Sequence, residues 1–342
     1  LSMENKPLDI LIHYPFNEVQ LNLIKSHSDR LRISFYPDTK FEEIPVDVKS
    51  QVEILLTKRT VPDPAEMPAL RWIQYTLAGT DFVKGSPLFE CEDFRVTTLS
   101  GAVAGKVAEY AVTAMLSLGH KLPLTMAYQA RKIWPPDRWE SLKAKELRGS
   151  TVGLLGYGSI AREIARLLQP FNVEILATKK NLMELEDTGY VPAGLGDPDG
   201  VLFKRLYPPE AITSMLKLCD FVVVCLPLTG ETTGAVGMKE LKAMKKTAYL
   251  IALGRGGQVR EQDLATALRE GVIAGAMLDV FETEPLPNDS PLWDAPNLVI
   301  TPHIAGNTEH YDQLVLDLFM ANLDRYMQGE PLFNLYLPER GY

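Results

Sequence analysis

The sequence predicts a two-unit α/β protein built on parallel sheets, and three observations carry that prediction. Short apolar runs alternate with polar or helical spacers along most of the chain, as in a parallel layer where helices return between strands. A glycine pattern follows one such run directly and opens a helix, from Gly156 to Ala161. The length of 342 residues exceeds one ordinary domain, so two packed cores are expected.

From residue 8 the first series of strands reads "LDILIHY", "LRISFY", "VEILLT", "WIQYTLAG" and "RVTTL". Residues 102 to 122, "AVAGKVAEYAVTAMLSLGHKL", place apolar side chains at helical spacing on an Ala-rich backbone, which predicts one long helix leading into a second unit. The stretch "IWPPDRW" marks a surface loop. A second series follows from 151: "TVGLLG", "NVEILAT", "DFVVVCLPLT", "AYLIALG", "GAMLDV" and "NLVITP". These runs are continuously apolar, as in strands covered on both faces of a doubly wound sheet. The amphipathic segment "EHYDQLVLDLFMANLDRYMQG" is longer than that sheet needs and is expected to cross back to the first unit. The second unit then reads as an insertion, with 104–308 interrupting a unit made of 1–103 and 309–342. No solenoid-period repeat and no low-complexity tract is present.

Composition narrows the function classes. Hydrophobic content of 46% and charged content of 23% fit a globular protein, and no apolar run approaches the roughly 20 residues of a bilayer crossing. The formal charge of −9 disfavours nucleic acid as a partner while leaving room for a local anion pocket. Cys91, Cys219 and Cys225 lack paired metal spacing, so no metal is expected, and buried free thiols in the cytoplasm are the expectation. The opening "LSM" has neither the basic nor the long apolar region of a secretory leader.

"TVGLLGYGSIAREIARLL" contains Gly156-x-Gly158-x-x-Ala161 directly after Val152–Leu155, and Ile160, Ile164, Leu167 and Leu168 then recur at helical spacing until Pro170. The chemistry of a dinucleotide loop explains each choice. Gly156 makes a tight turn, Gly158 bares the backbone for a pyrophosphate, and Ala161 lets the helix pack closely. Amides at the helix start face the phosphates. The glycine spacing alone is common by chance; strand, turn and helix together make it specific. "GLGDPDG" also has close glycines, but Pro198 and the missing apolar helix make it a loop.

Ligands of open α/β sheets sit outside the carboxyl ends of the strands. Three such ends carry reactive groups: "YLIALGRGG" delivers Arg255, "AMLDVFETEP" delivers Asp279, Glu282 and Glu284, and "LVITPHIAG" delivers His303. An Arg grips a carboxylate in a two-pronged fork, a His passes a proton, and a neighbouring carboxylate orients that His. These are the parts a 2-keto acid reductase needs. Blander roles compete: a surface ion pair for Arg255, a loop cap for Asp279, a solvated edge for the glutamates. His303 stands out from His13, His27, His120 and His310, which lack a comparable setting. Spacing does not choose between Glu282 and Glu284.

Taken together, "GYGSIA", "PLTGETTG", "GRGGQV", "LDVFETEPLP", "SPLW", "PN" and "TPHIAGNT" resemble, in matching order, the D-isomer-specific 2-hydroxyacid dehydrogenase family, in its glyoxylate/hydroxypyruvate reductase-like branch. The likeness is specific from 147 to 308 and looser before residue 100, where "LAGTD" looks like the family's "GAGVD". It implies a Rossmann-type doubly wound sheet inserted into a smaller flavodoxin-like substrate domain. It also implies Arg255 as the carboxylate-binding arginine, His303 as the acid/base and Glu284 as its partner. Asp279 corresponds to the aspartate near the nicotinamide. Ser159 and Ile160 match positions whose amides meet pyrophosphate, and Leu226, Pro227, Leu253 and Gly306 are expected to line the cofactor. Ala78 and Gly79 match the substrate-carboxylate loop. The chain departs from the pattern at Leu77, Thr98 and Tyr110, all on the substrate side.

Lys179 stands 23 residues beyond Gly156, where the family carries an aspartate for the ribose hydroxyls of NAD. Thr178, Lys179 and Lys180, with Arg162 nearby, instead suit the 2′-phosphate of NADP, with NAD the alternative. The competing view is a solvated basic turn. Partners expected from the resemblance are a small 2-keto or 2-hydroxy acid and a second copy of the chain as a homodimer. Trp134 and Trp139 are expected either to close over an active site or to anchor their loop in a core. A nucleotide-sensing corepressor of the same fold is the alternative function. Formate dehydrogenase is disfavoured by Glu284, where that enzyme carries Gln, and a methyltransferase has no need of the Arg, Glu and His strand ends. Few residues follow "GEPLFNL", so no regulatory domain is expected there.

Overall fold

The structure, a computed structural model, describes residues 6–79, 81–90 and 93–338. Cys91, the "LSM" start and Thr80 of "LAGTD" lie outside them. The chain divides into two compact units, Leu1–Val103 with Thr308–Tyr342, and Ala104–Asn307. No helix among the described residues is long and apolar enough to cross a membrane.

In the first unit, β1 (Leu8–His13), β2 (Leu31–Phe35), β3 (Ile54–Thr57), β4 (Trp72–Tyr75) and β5 (Arg95–Thr97) form a five-stranded sheet in the order β2-β1-β3-β4-β5. Every pairing is parallel, and this is the flavodoxin-like order. The long carboxyl-terminal helix, Tyr311–Gln328, packs on this sheet. Trp72 stacks on Phe319 and Tyr326 with ring centroids 5.6 and 5.4 Å apart, and the Asn322 amide donates to Gln74 Oε1 at 3.0 Å. The amphipathic pattern of 309–329 therefore reflects a helix with one face on a sheet.

The second unit contains β6 (Thr151–Leu155), β7 (Glu174–Thr178), β8 (Arg205–Tyr207), β9 (Phe221–Val224), β10 (Tyr249–Ala252), β11 (Gly275–Leu278) and β12 (Leu298–Ile300). Their order is β12-β11-β10-β9-β6-β7-β8, all parallel. This is the doubly wound Rossmann arrangement, with its reversal between β6 and β9. Alternate residues of the apolar runs enter opposite cores: Val222, Val224, Leu250 and Leu278 on one face, Phe221, Val223, Ile251 and Met277 on the other. Burial on both faces explains why those strands read as unbroken apolar runs.

Register fixes where the site lies. Leu155 pairs with Thr178 and Val224, Ala252 with Val224 and Leu278, and Leu278 with Ile300. The strands thus end at one level, and Gly156, Lys179, Cys225, Leu253, Asp279 and Thr301 all leave the same edge.

Two features differ from the sequence reading. The expected single helix over 102–122 is two, Ala104–Gly119 and Leu122–Ala130. Lys121 between them is left-handed (φ +54°), and Pro123 in the first turn of the second helix has no N–H to continue the first. The strand β8 is additional; its three residues follow the short apolar run Val201–Phe203 and Lys204, and only one of them, Tyr207, is buried.

Candidate active site

At the reversal point the loop after β6 passes against the end of β9. Gly156 has φ +91°, and a Cβ there would sit 3.1 Å from Leu226 Cδ2 and 3.3 Å from Cys225 O. Only glycine meets both the left-handed backbone and the close approach. Its amide donates to Thr178 Oγ1 at 2.9 Å. Gly158 caps the helix Ser159–Leu168 without a side chain, and a Cβ at Gly158 would meet nothing within 4 Å. Open space over a bare backbone, beside the helix start at Ser159 and Ile160, fits a dinucleotide pyrophosphate. Ala161 is buried and lets this helix lie close to its neighbours.

The next strand end is organised differently from the sequence expectation. Thr178 is buried, and its hydroxyl accepts the Gly156 amide, so it shapes the glycine loop. Arg162, expected near a 2′-phosphate, is 1% exposed. It donates through Nη2 to Leu185 O at 2.5 Å and through Nη1 to Asp197 O, and its guanidinium lies 5.0 Å from the Tyr157 ring centroid. Arg162 is thus a buried anchor, because the 179–204 segment covers it. Lys180 is exposed and pairs with Glu231 at 2.7 Å. Lys179 is half-buried; burial, with the nearby Arg162 charge second, lowers its pKa from the ordinary lysine value, and Glu184 and Asp187 oppose the shift.

Beyond β10, Arg255 lies between Gly254 and Gly256. A Cβ at Gly256 would come 1.7 Å from Phe281 O, and one at Gly254 2.4 Å from Gln258 Oε1. Gln258 is buried; its Oε1 accepts the Arg255 amide at 3.2 Å and its Nε2 donates to Leu226 O at 2.5 Å. This glutamine, inside "GRGGQV", ties the Arg255 loop to the end of β9. The sequence reading gave it no role, although a polar residue flanked by glycine and valine was a visible signal.

Asp279 is buried at the end of β11. Its Oδ1 accepts from Thr301 Oγ1 at 2.7 Å and Ile304 N at 2.9 Å, and its Oδ2 from Ala305 N at 2.8 Å. These bonds bracket His303, which sits at φ +53°, a strained region for a residue with a side chain. His303 Nδ1 lies 2.7 Å from Glu284 Oε2, with side chains 46% and 36% exposed. Glu284 Oε1 accepts the Phe281 amide at 3.0 Å. Glu282 is engaged elsewhere: its Oε1 accepts the Glu261 amide at 3.3 Å, and its own amide donates to Glu261 Oε1 at 2.6 Å. The geometry pairs His303 with Glu284. Tyr110 lies within hydrogen-bond reach of Thr301, and burial raises its pKa.

Of the remaining sequence candidates, Leu226 and Pro227 are half-buried after β9, Leu253 is buried after β10, and Gly306 follows the His303 loop. Ala78 and Gly79 are half-buried just beyond β4 in the other unit. Trp134 and Trp139 are 80% and 78% exposed, which excludes a core-anchor role within the chain. The Cys225 thiol, pushed up to about 12 by burial, donates to Leu155 O and Gly156 O at 3.5 and 3.4 Å.

A doubly wound sheet with a glycine loop, an Arg loop and a His–Glu pair on one edge defines the class of nicotinamide-dependent dehydrogenases. Residues 112–305 match the model of the D-isomer specific 2-hydroxyacid dehydrogenase NAD binding domain, and the chain belongs to that family. It is 35% identical over 241 residues to the glyoxylate reductase of Thermofilum pendens, an alignment spanning 69% of this chain and 66% of that one, just under two thirds of the relative. A family protein from Aeromonas salmonicida aligns with TM-score 0.77 and 31% identity, over 98% and 99% of the two chains. A D-isomer specific 2-hydroxyacid dehydrogenase from Xanthobacter autotrophicus, solved with NADPH and MES, aligns with TM-score 0.77 and 26% identity, over 98% and 100%.

Replacing Asp279 by Ala leaves the Ile304 and Ala305 amides without their acceptor. Thermal and urea unfolding are expected to show a loss of about 2–5 kcal/mol, with less loss in Asp279→Asn, which keeps one oxygen.

Proposed function

We propose that this chain reduces small 2-keto acids such as glyoxylate or hydroxypyruvate to D-2-hydroxy acids, with NADPH as the preferred nicotinamide. The observation that carries the reading is the His303–Glu284 pair at 2.7 Å, on the same sheet edge as the Arg255 and glycine loops. The glyoxylate reductase relative and the NADPH-bound neighbour support it. Residues 104–308 take the dinucleotide role, and 1–103 with 309–342 the substrate role.

In this mechanism the nicotinamide, when bound, supplies the hydride to the 2-keto carbon. Gly156, Gly158, Ser159 and Ile160 hold the pyrophosphate, and Leu226, Pro227, Leu253 and Gly306 line the rest of the cofactor. Arg255 grips the substrate carboxylate in a fork and polarises the carbonyl. Glu284 accepts a hydrogen bond from Nδ1–H of His303, which fixes the ring, and protonated His303 gives its Nε2 proton to the carbonyl oxygen, leaving a neutral imidazole. Asp279 acts by holding the loop that presents His303. Two free thiols, the buried Cys219 and the half-buried Cys225, favour a reducing compartment, the cytoplasm.

The assembly we propose is a homodimer through residues 122–141. The helix Leu122–Ala130 has no buried residue; Met126 on it, and Ile133, Trp134 and Trp139 after it, are exposed. So many large exposed apolar side chains within twenty residues are unusual on a monomer. Sedimentation velocity is expected to find a dimer that Trp134→Ser with Trp139→Ser weakens; a monomeric wild type would refute this.

His303→Ala is expected to lower kcat about 10²- to 10⁴-fold while the Kd for cofactor stays near wild type. Equal losses of both would make His303 structural. A steady-state panel of glyoxylate, hydroxypyruvate and phenylpyruvate with NADPH and NADH tests reaction and cofactor together, and absence of turnover would favour a binding protein.

Lys179→Asp is expected to weaken the preference for NADPH, and a wild type favouring NADH would overturn the assignment. The charged lysine is the form that binds phosphate, and burial lowers its pKa. Affinity for NADP⁺ is therefore expected to fall as pH rises through that lowered value, before an ordinary lysine would deprotonate, with affinity for NAD⁺ flat over the same range.

A further inference from the structure

Residues 179–204, which join β7 to β8, form a longer connection than a doubly wound sheet requires, and they are fastened to the glycine loop and the helix that follows it at three positions. Tyr157, inside the glycine loop, donates to Asp197 Oδ2 at 2.6 Å, and Asp197 in turn accepts the amides of Val201 and Leu202 at 3.0 Å each. Arg162 holds the carbonyls of Leu185 and Asp197. Glu163, also buried, accepts the Gly196 amide through Oε2 at 2.6 Å. The segment also closes on itself: Gly200 lies so near Leu185 that a Cβ would come 2.3 Å from the Leu185 carbonyl oxygen.

This clasp determines where charge falls around Lys179. Asp187 lies with Oδ2 3.6 Å from Arg162 Nε, and that oxygen is buried without a hydrogen-bond partner among the described residues. Its Oδ1 accepts the Gly189 amide at 3.1 Å, and its own amide donates to Pro198 O at 2.9 Å. Glu184 precedes Leu185, whose carbonyl Arg162 grips, so its backbone is held close to the same cation. Both carboxylates act on the Lys179 ammonium, and the Arg162 charge acts on it more than either. Arg162 is itself paired with Asp187.

We propose that residues 181–204 are a specificity-determining segment: clasped to the phosphate helix, they set Asp187 and Glu184 beside Lys179 and so temper selectivity for a 2′-phosphorylated dinucleotide. This rests on the placement of the 2′-phosphate at Lys179 proposed above. A 2′-phosphate arriving there gains the lysine and meets two carboxylates, whereas the uncharged ribose of NAD meets neither attraction nor repulsion of that size. Selectivity is then the difference of the two effects, and removing a carboxylate increases it.

The test is isothermal titration calorimetry of the full chain with NADP⁺, NAD⁺ and adenosine 2′,5′-bisphosphate. Glu184→Gln, at an exposed position, and Asp187→Asn are each expected to tighten NADP⁺ and the bisphosphate about two- to fivefold relative to NAD⁺. The gain is expected to fade in high salt. Asp187→Asn removes the counter-charge of a buried arginine, so its folding is checked by thermal unfolding; if it does not fold, Glu184→Gln decides alone. An unchanged NADP⁺ to NAD⁺ affinity ratio in Glu184→Gln, or equal tightening of both, overturns the proposal. The wild-type ratio reports separately on the Lys179 assignment: a wild type that prefers NAD⁺ ends that assignment, while the change of ratio in the variants still reads the effect of the segment.

Discussion

Loops leaving the seven-stranded sheet at its carboxyl edge face a common constraint: their backbone amides run out of strand partners in a place where water is scarce. A buried amide left unpaired costs about 1–3 kcal/mol, so each loop needs a polar side chain from a neighbour. Thr178 serves Gly156, Gln258 serves Arg255 and Leu226, and Asp279 serves Ile304 and Ala305. Each of these side chains is buried. The cofactor loop, the arginine loop and the histidine loop are thus held by one device used three times.

That device separates groups that hold from groups that face a ligand. Arg162 and Thr178, both taken in the sequence as cofactor-side residues, are buried in the framework, and Thr178 accepts the Gly156 amide there. Lys180 is exposed and paired with Glu231, exposed on both sides, a contact that contributes at most about 1 kcal/mol. Lys179 is half-buried, and its charge is disfavoured by burial; on the proposed cofactor reading, Lys179 is therefore the better placed of the two to meet a phosphate.

The sequence made the architecture legible because apolar runs bounded by turn residues report burial on both faces of a strand. The runs at Val152, Phe221 and Tyr249 needed no more than that. Arg205–Tyr207 was illegible for the same reason: three residues at the edge of a sheet, with only Tyr207 buried, leave no pattern of their own. The break before Pro123 was readable in principle from the proline and lost in the Ala-rich periodicity around it. At the site, reactive residue types at strand ends were legible, but the choice between Glu282 and Glu284 was not. Both lie on the same short turn, and what separates them is a tertiary fact, the pairing of Glu282 with Glu261 across the loop after β10. "GLGDPDG" reads correctly as a loop; that Asp197 within it is buried against Tyr157 depends on residues 40 positions away.

The His303–Glu284 pair is only partly covered, although the groups that support it are buried. A fully buried ion pair loses hydration that its own attraction repays only in favourable geometry, and a proton carrier sealed from water has no route to reload. Partial exposure avoids both problems in the free protein. The strained backbone at His303 fits the same division of labour: Asp279 binds the amides of the next two residues, so the left-handed turn is held by groups outside the reacting pair. The imidazole therefore keeps a fixed direction without needing burial to hold it. In the reaction proposed above, a bound substrate would complete the cover over this partly exposed pair, while Glu284 keeps the ring oriented.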